Sequence, residues 1–129
     1  MSEQNINLTS AEWSVMECLW ERAPLTGREV TELMRERCGW SRSTTLTLLS
    51  RMEAKGAVAG DSDIGKKSFH PLVCREDAAL QETEDFLGRV YKGSLSLMVS
   101  SLTRKQSLSQ KEIDELYAIL KETEANGDA

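Results

Sequence analysis

Hydrophobic positions recur at helical spacing near the start of the chain. In residues 9–22, Trp13, Met16 and Trp20 form one stripe between polar positions, and Pro24 follows as a helix breaker. The pattern predicts an amphipathic helix with one buried face.

The next two segments carry start and stop signals for helices. Thr26 with Glu29 three positions later is the pattern of a capping box, and a glycine at position 39 is a typical helix end. Residues 41–56 begin with serines that can cap a helix and end at Lys55 and Gly56. The spacing therefore predicts a second and a third helix.

A β-hairpin is predicted after the third helix. Two short strand-like pieces, near 57–60 and 67–73, flank a turn-rich tip at Asp61–Gly65, and the tip is followed by two lysines.

From residue 76 onwards the apolar positions again follow helical spacing, with a bend expected at Gly93. About 50 residues in two or three helices cannot cover their own apolar faces. Burial against a second copy solves this problem, so a homodimer through residues 76–123 is predicted. The predicted dimerisation residues are Leu80, Leu87, Val90, Tyr91, Leu95, Met98, Leu102, Ile113, Leu116, Tyr117 and Leu120.

Together these elements predict a mainly α fold with a small β-wing. A winged helix-turn-helix domain at residues 1–75 is expected to precede a helical dimerisation domain at residues 76–129.

The charge distribution favours this reading. The chain of 129 residues has a net charge of −5, but residues 41–75 carry six Lys/Arg and three Asp/Glu, a local net charge of +3. DNA phosphates respond to such a local basic patch. No apolar run approaches the roughly 18–20 residues that span a bilayer, and the first ten residues resemble no signal peptide, so a cytoplasmic protein without a membrane partner is expected.

The third helix of a winged helix enters the major groove, so its polar residues are the predicted DNA contacts. Arg42 can donate two hydrogen bonds to a guanine edge, whereas Arg51 and the wing lysines are better placed for phosphates. The complete predicted set is Ser41, Arg42, Ser43, Thr44, Thr45, Thr47, Arg51, Lys66 and Lys67.

Other classes of function have weaker support in the sequence. The single histidine has no evident catalytic partner and no glycine-rich phosphate loop is present, so an enzyme is not expected. Neither a cofactor nor a bound metal is expected, because a structural zinc normally needs four ligands. Two alternatives stay open: a winged helix that binds protein instead of DNA, and a redox- or metal-responsive regulator that uses Cys74 and His70.

Two stretches resemble the penicillinase-repressor family, known as BlaI/MecI/CopY. "LTSAEWSVMECLW" is similar to its leading L-(T/S)-x-x-E-x-x-(I/V)-(M/L)-x-x-(L/I)-W segment, and "TTLTLLSRMEAKG" to its T-x-x-T-(L/I)-(L/I)-x-R-(L/M)-x-x-K-G recognition helix. The resemblance covers about residues 8–121. It implies a dimeric repressor that binds a palindromic operator of a resistance or metal-homeostasis operon.

The release signal is left open by the resemblance. Copper-responsive members end in C-x-C motifs, and the tail "TEANGDA" has none. Members that control β-lactam resistance are cleaved at an Asn-Phe bond by a sensor protease, and the matching position here is Ser101-Leu102. Release by another protease or by a ligand is therefore considered.

Overall fold

The computed structural model describes residues 6–63 and 65–127. The chain divides into two compact units, one up to Thr83 and one from Glu84 onwards.

Three helices form the first part of the N-terminal unit: α1 (Ser10–Glu21), α2 (Gly27–Cys38) and α3 (Arg42–Ala54). Thr9 and Thr26 cap α1 and α2, and each is completed as a capping box by the glutamate three residues later. Ser41 caps α3 by accepting a hydrogen bond from the backbone N–H of Thr44. Gly39 ends α2 in the left-handed conformation, with φ of 72°, which glycine adopts without strain. The three predicted helices are confirmed.

A three-stranded antiparallel sheet completes the winged helix-turn-helix fold. Its strands β1 (Leu25–Thr26), β2 (Val58–Asp63) and β3 (Lys66–Pro71) are arranged in the order β1-β3-β2. The hairpin is confirmed, but its strand pairing continues out to Asp63 and Lys66, so the tip is shorter than predicted. Strand β1 was not predicted, because two residues are too few to show a periodicity.

The core of the N-terminal unit lies between the three helices and the sheet. Helix α3 contributes Leu48, Leu49 and Met52, and the sheet contributes Val58 and Phe69. The other buried apolar residues are Val15, Met16, Cys18, Leu19, Leu25, Val30, Met34 and Ala57. Because α3 is anchored by its apolar stripe, its opposite face is held outward.

Three further helices follow: α4 (Arg75–Tyr91), α5 (Leu95–Lys105) and α6 (Gln110–Asn126). The bend expected at Gly93 is a complete break between α4 and α5, where Lys92 and Gly93 have φ of 53° and 85°. Helix α4 begins beside the predicted domain boundary, and the division between the two compact units lies within it. Within the described chain, no helix combines the length and apolar character needed to cross a membrane.

Candidate nucleic-acid interface

The outward face of α3 carries most of the predicted DNA contacts. All six of the following side chains are exposed: Ser41, Arg42, Ser43, Thr44, Thr47 and Arg51. Neither arginine forms an ion pair or a side-chain hydrogen bond with any residue in 6–63 or 65–127. Two cations thus stand unneutralised on a face otherwise made of hydroxyl groups.

Thr45 is the one member of this set that the structure places elsewhere. Its side chain is fully buried, and its hydroxyl donates to the carbonyl oxygen of Ser41 at 3.2 Å. Thr45 lies on the same stripe as Leu48, Leu49 and Met52, so it faces the core and its assignment as a DNA contact is wrong. Within α3 it is a packing residue.

The hydroxyl groups at the start of α3 are ordered by one another. Ser41 Oγ accepts from the backbone N–H of Thr44 at 3.2 Å and lies 3.1 Å from Thr44 Oγ1 and 3.3 Å from Ser43 Oγ. This arrangement fixes three short polar side chains at the helix N-terminus, where partial positive charge favours a phosphate.

A shallow groove of about 400 Å³ runs along this face. Its lining includes Ser43, Thr44, Thr47 and Arg51 together with the half-buried ring of Trp40. Trp40 was not among the predicted contacts. Its position directly before the serine cap of the predicted recognition helix was the available signal.

A partly buried ion pair holds the C-terminal end of α3 against the start of α1. Lys55 Nζ lies 2.7 Å from Glu12 Oε1, and it also donates to the carbonyl oxygen of Asn7 at 2.8 Å. The Glu12 side chain is only 3% exposed. Burial raises the pKa of Glu12, but the hydrogen bonds from Lys55 and Thr9 outweigh burial, so its pKa lies below the usual value. Glu12 therefore remains a carboxylate at neutral pH.

The two wing lysines differ in their contacts. Both are exposed at the start of β3, but among the described side chains only Lys67 has an ion-pair partner, Glu53 of α3, with Nζ and Oε1 2.9 Å apart. Lys66 forms no ion pair with any side chain that the structure describes. The pKa of Glu29 is lowered chiefly by the backbone hydrogen bond from Thr26, and the charge of Lys66 contributes in the same direction.

The junction between α1 and α4 is built around Arg75. Its guanidinium donates to both carboxylate oxygens of Glu17, at 3.2 and 3.0 Å, and lies 5.8 and 5.9 Å from the ring centroids of Trp13 and Trp20. The hydrogen bonds from Arg75 lower the pKa of Glu17. Trp20 also donates its indole N–H to the carbonyl oxygen of Val73 at 2.9 Å. The first turn of α4 is thus held against α1.

The apolar residues of α4–α6 remain open to solvent. Within the described chain none of the residues of these helices is buried. Seven predicted dimerisation residues are between 42% and 66% exposed: Leu80, Val90, Leu95, Leu102, Leu116, Tyr117 and Leu120. The four others, Leu87, Tyr91, Met98 and Ile113, are half-buried. Phe86, Leu97, Val99 and Ile119 are also exposed, and they were not predicted.

The residues considered for redox or metal chemistry, His70 and Cys74, lie in different surroundings. His70 Nδ1 is 3.2 Å from Asp61 Oδ2 across the hairpin, and Cys74 is exposed at the start of α4. In the described ranges, no three His, Cys, Asp or Glu side chains come together as a metal site.

Comparison with known protein sequences agrees with this geometry. The family model described as penicillinase repressor matches residues 8–122. The methicillin resistance regulatory protein MecI of Mammaliicoccus sciuri is 31% identical over 120 residues, which cover 93% of this chain and 98% of that protein. The penicillinase repressor of Bacillus licheniformis is 31% identical over 115 residues, 89% of this chain and 90% of that protein.

Solved structures share the fold. The DNA-binding domain of the repressor BlaI aligns with a TM-score of 0.53 at 25% identity, covering 60% of this chain and 93% of that domain. A transcriptional regulator from Thermotoga maritima aligns with a TM-score of 0.52 at 18% identity, covering 95% of this chain and 80% of that one. The family match spans nearly the whole chain and the fold is that of winged-helix DNA-binding repressors, so this chain belongs to the penicillinase repressor family.

Proposed function

We propose that this protein is a dimeric transcriptional repressor that binds a palindromic operator through α3 and the wing. The observation that carries the proposal is the exposed face of α3, on which Arg42 and Arg51 lie among ordered hydroxyl groups with no ion-pair partner in the described part of the chain. DNA supplies what this face lacks, namely hydrogen-bond acceptors for the arginines and phosphates for the helix N-terminus.

The two arginines have different proposed roles. Arg42 is the first residue of α3, where a recognition helix reaches base edges, and its guanidinium suits the O6 and N7 atoms of guanine. Arg51 lies in the last turn of α3 and is proposed to hold a backbone phosphate.

The exposed apolar residues of α4–α6 support the dimer. Eleven large apolar side chains on these helices are at least 38% exposed, which is unusual for helices of a protein that works as a monomer. A second copy offers an identical surface, and two-fold symmetry then brings two recognition helices to two half-sites. A palindromic operator follows from that symmetry.

The regulated operon and the release step are inferred from the family. The relatives are named for methicillin resistance and penicillinase, and we infer control of a resistance or metal-homeostasis operon. Ser101 and Leu102 both lie inside α5, so a protease could cut there only after this helix opens locally. Release by a sensor protease or by a ligand remains part of the proposal.

The proposal is tested by selecting bound duplexes from a random library and titrating the best one at several salt concentrations. We expect an inverted repeat, and affinity that falls steeply as salt rises. Arg42→Ala should relax the base preference at one position in each half-site. Arg51→Ala should weaken all sequences alike and reduce the salt slope by about one.

Lys111→Ala is the matched control, because it removes the same charge from an exposed position on α6. It should change neither preference nor slope. Arginine variants that bind DNA like the wild type would contradict the assignment of α3. They would favour the alternative that this winged helix binds another protein.

A further inference from the structure

Lys66 and Lys67 are adjacent in β3, but their contacts differ, and the difference indicates different roles. Lys67 Nζ is 2.9 Å from Glu53 Oε1 and 5.5 Å from the ring centroid of Phe69, which is buried in the core. Lys66 has no ion pair with the described residues. The ammonium group of Lys67 is thus already neutralised by a residue of the recognition helix.

The side chain of Lys67 reaches Glu53 by lying across Gly60 of β2. A Cβ atom built at position 60 would overlap with Cε of Lys67 and would lie 3.0 Å from Oε2 of Glu53. Gly60 has no left-handed φ, so the backbone does not require a glycine there. The side chains of Lys67 and Glu53 occupy the space that a Cβ atom at position 60 would need.

We propose that Lys67 and Glu53 form a strut that sets the position of the wing against α3, and that Lys66 makes the wing's contact with the DNA backbone. Lys67 is then a positioning residue. The inference rests on the proposed function, since it divides the work of operator binding between the two lysines.

The physical reason is that the hairpin is two-stranded beyond the pairing of β1 with Ser68 and Phe69, and a two-stranded ribbon is only marginally stable without further packing. Outside the core contact of Phe69, the outer half of this hairpin is exposed, and the Lys67–Glu53 strut joins it to α3. A neutral pair releases few counterions on DNA binding, whereas an unpaired lysine that meets a phosphate releases about one.

The opposite arrangement makes different predictions. If Lys67 leaves Glu53 to bind a phosphate, Glu53 competes with DNA, and breaking the pair should strengthen binding and steepen the salt slope. If the strut holds the wing, breaking the pair should weaken binding and leave the slope unchanged.

Lys66→Met and Lys67→Met form a matched pair, because each keeps an apolar stem and removes one charge. Full-length protein is titrated with its selected operator at several salt concentrations. We expect Lys66→Met to lower the slope by about one. Lys67→Met should weaken binding about 3–10-fold at an unchanged slope, since a less firmly held wing must be ordered on binding while Lys66 still meets its phosphate. Equal loss of slope in both variants would overturn the proposal.

Gly60→Ala is the decisive variant, because it displaces Lys67 while both charges remain. We expect weaker binding, and we expect no further loss when Glu53→Gln is added, since both changes break the same contact. Tighter binding by Gly60→Ala, with a steeper salt slope, would overturn the Lys67–Glu53 strut.

Amide hydrogen exchange without DNA separates this inference from the proposed function. Gly60→Ala and Glu53→Gln should both speed exchange in β2 and β3 and leave α1 unchanged. Unchanged exchange in the hairpin would overturn the strut even when the wild type binds its operator. Failure of the wild type to bind DNA in a salt-dependent way would overturn the proposed function, while exchange would still report on the strut.

Discussion

The two halves of this chain solve the burial of apolar side chains in different ways. The helices and sheet of the N-terminal unit enclose a core in which Met16, Val30, Met34 and Met52 are fully buried. In α5 and α6 no residue is buried, although the apolar residues recur just as regularly. Periodicity therefore predicts a helix and its face, but it does not say which chain covers that face.

The same difference determines which surface each half exposes for binding a partner. In the N-terminal unit the apolar stripe is satisfied, so the opposite face of α3 is free for arginine and hydroxyl groups. In α5 and α6 the exposed apolar face is itself the proposed binding surface, and the proposed partner is a second copy of the chain.

The largest effect is expected from placing charge in the apolar face of α6. Leu116 and Leu120 are 42% and 59% exposed and lie one turn apart. Changing both to Glu should raise the dimer dissociation constant at least about 100-fold, since two carboxylates would have to be buried. Sedimentation equilibrium measures the constant. Glu115→Gln, off the stripe, is the control, and a double variant that stays dimeric would argue against this face.

A smaller effect is expected inside the N-terminal unit, at the ion pair between Lys55 and Glu12. Lys55→Met leaves the Glu12 carboxylate buried without its cation. The free energy of unfolding should fall by roughly 2–3 kcal/mol, less than for a fully buried pair because Lys55 is partly exposed. Urea denaturation measures it. Lys121→Met, at an exposed position of α6, should change stability very little.

The same ion pair predicts a pH dependence confined to the N-terminal unit. The pKa of Glu12 is lowered in the folded protein, so its contribution is complete above the unfolded value near 4.5 and is lost as the pH falls through the folded value. Glu12→Gln should therefore lose less stability than the wild type between pH 5 and about 3. If the free energy of unfolding of Glu12→Gln and that of the wild type fall equally over this pH range, the carboxylate does not have this role.

The smallest effect is expected at the start of α4. Arg75→Gln removes the hydrogen bonds to Glu17 and the stacking on two tryptophans, but the site is exposed, so the melting temperature should fall only slightly. The quenching of tryptophan fluorescence should change more clearly, because the guanidinium leaves the rings. Arg89→Gln, which lies beside Phe86, leaves both tryptophans untouched and is the control.

Local signals in the sequence were sufficient for most of the fold. Thr26 caps α2 as predicted, and the cap of α3 is one of the serines at its start, Ser41, because a cap depends only on residues three positions away. Strand β1 was not predicted, since its pairing with β3 depends on residues more than 40 positions later. The contact of Lys55 with Glu12 was not predicted for the same reason.

The exposure of most predicted site residues on α3 follows from the sequence, and the features that were missed have physical causes. Thr45 was grouped with its hydroxyl neighbours by residue type, although its spacing from Leu48, Leu49 and Met52 already placed it on the inward stripe. The contact of Lys67 with Glu53 was not predicted, because no sequence pattern reveals that a carboxylate of α3 lies beside β3. Orientation on a helix can be read from spacing, whereas pairing between elements requires the fold.

The contrast between a closed and an open core is tested most directly by the mass of the full-length protein in solution. The chain has a mass of 14.4 kDa. Sedimentation equilibrium at micromolar concentration should give twice this value, because in the proposed dimer a second copy covers the apolar faces of α4–α6. A single-chain mass across the whole concentration range would contradict the account.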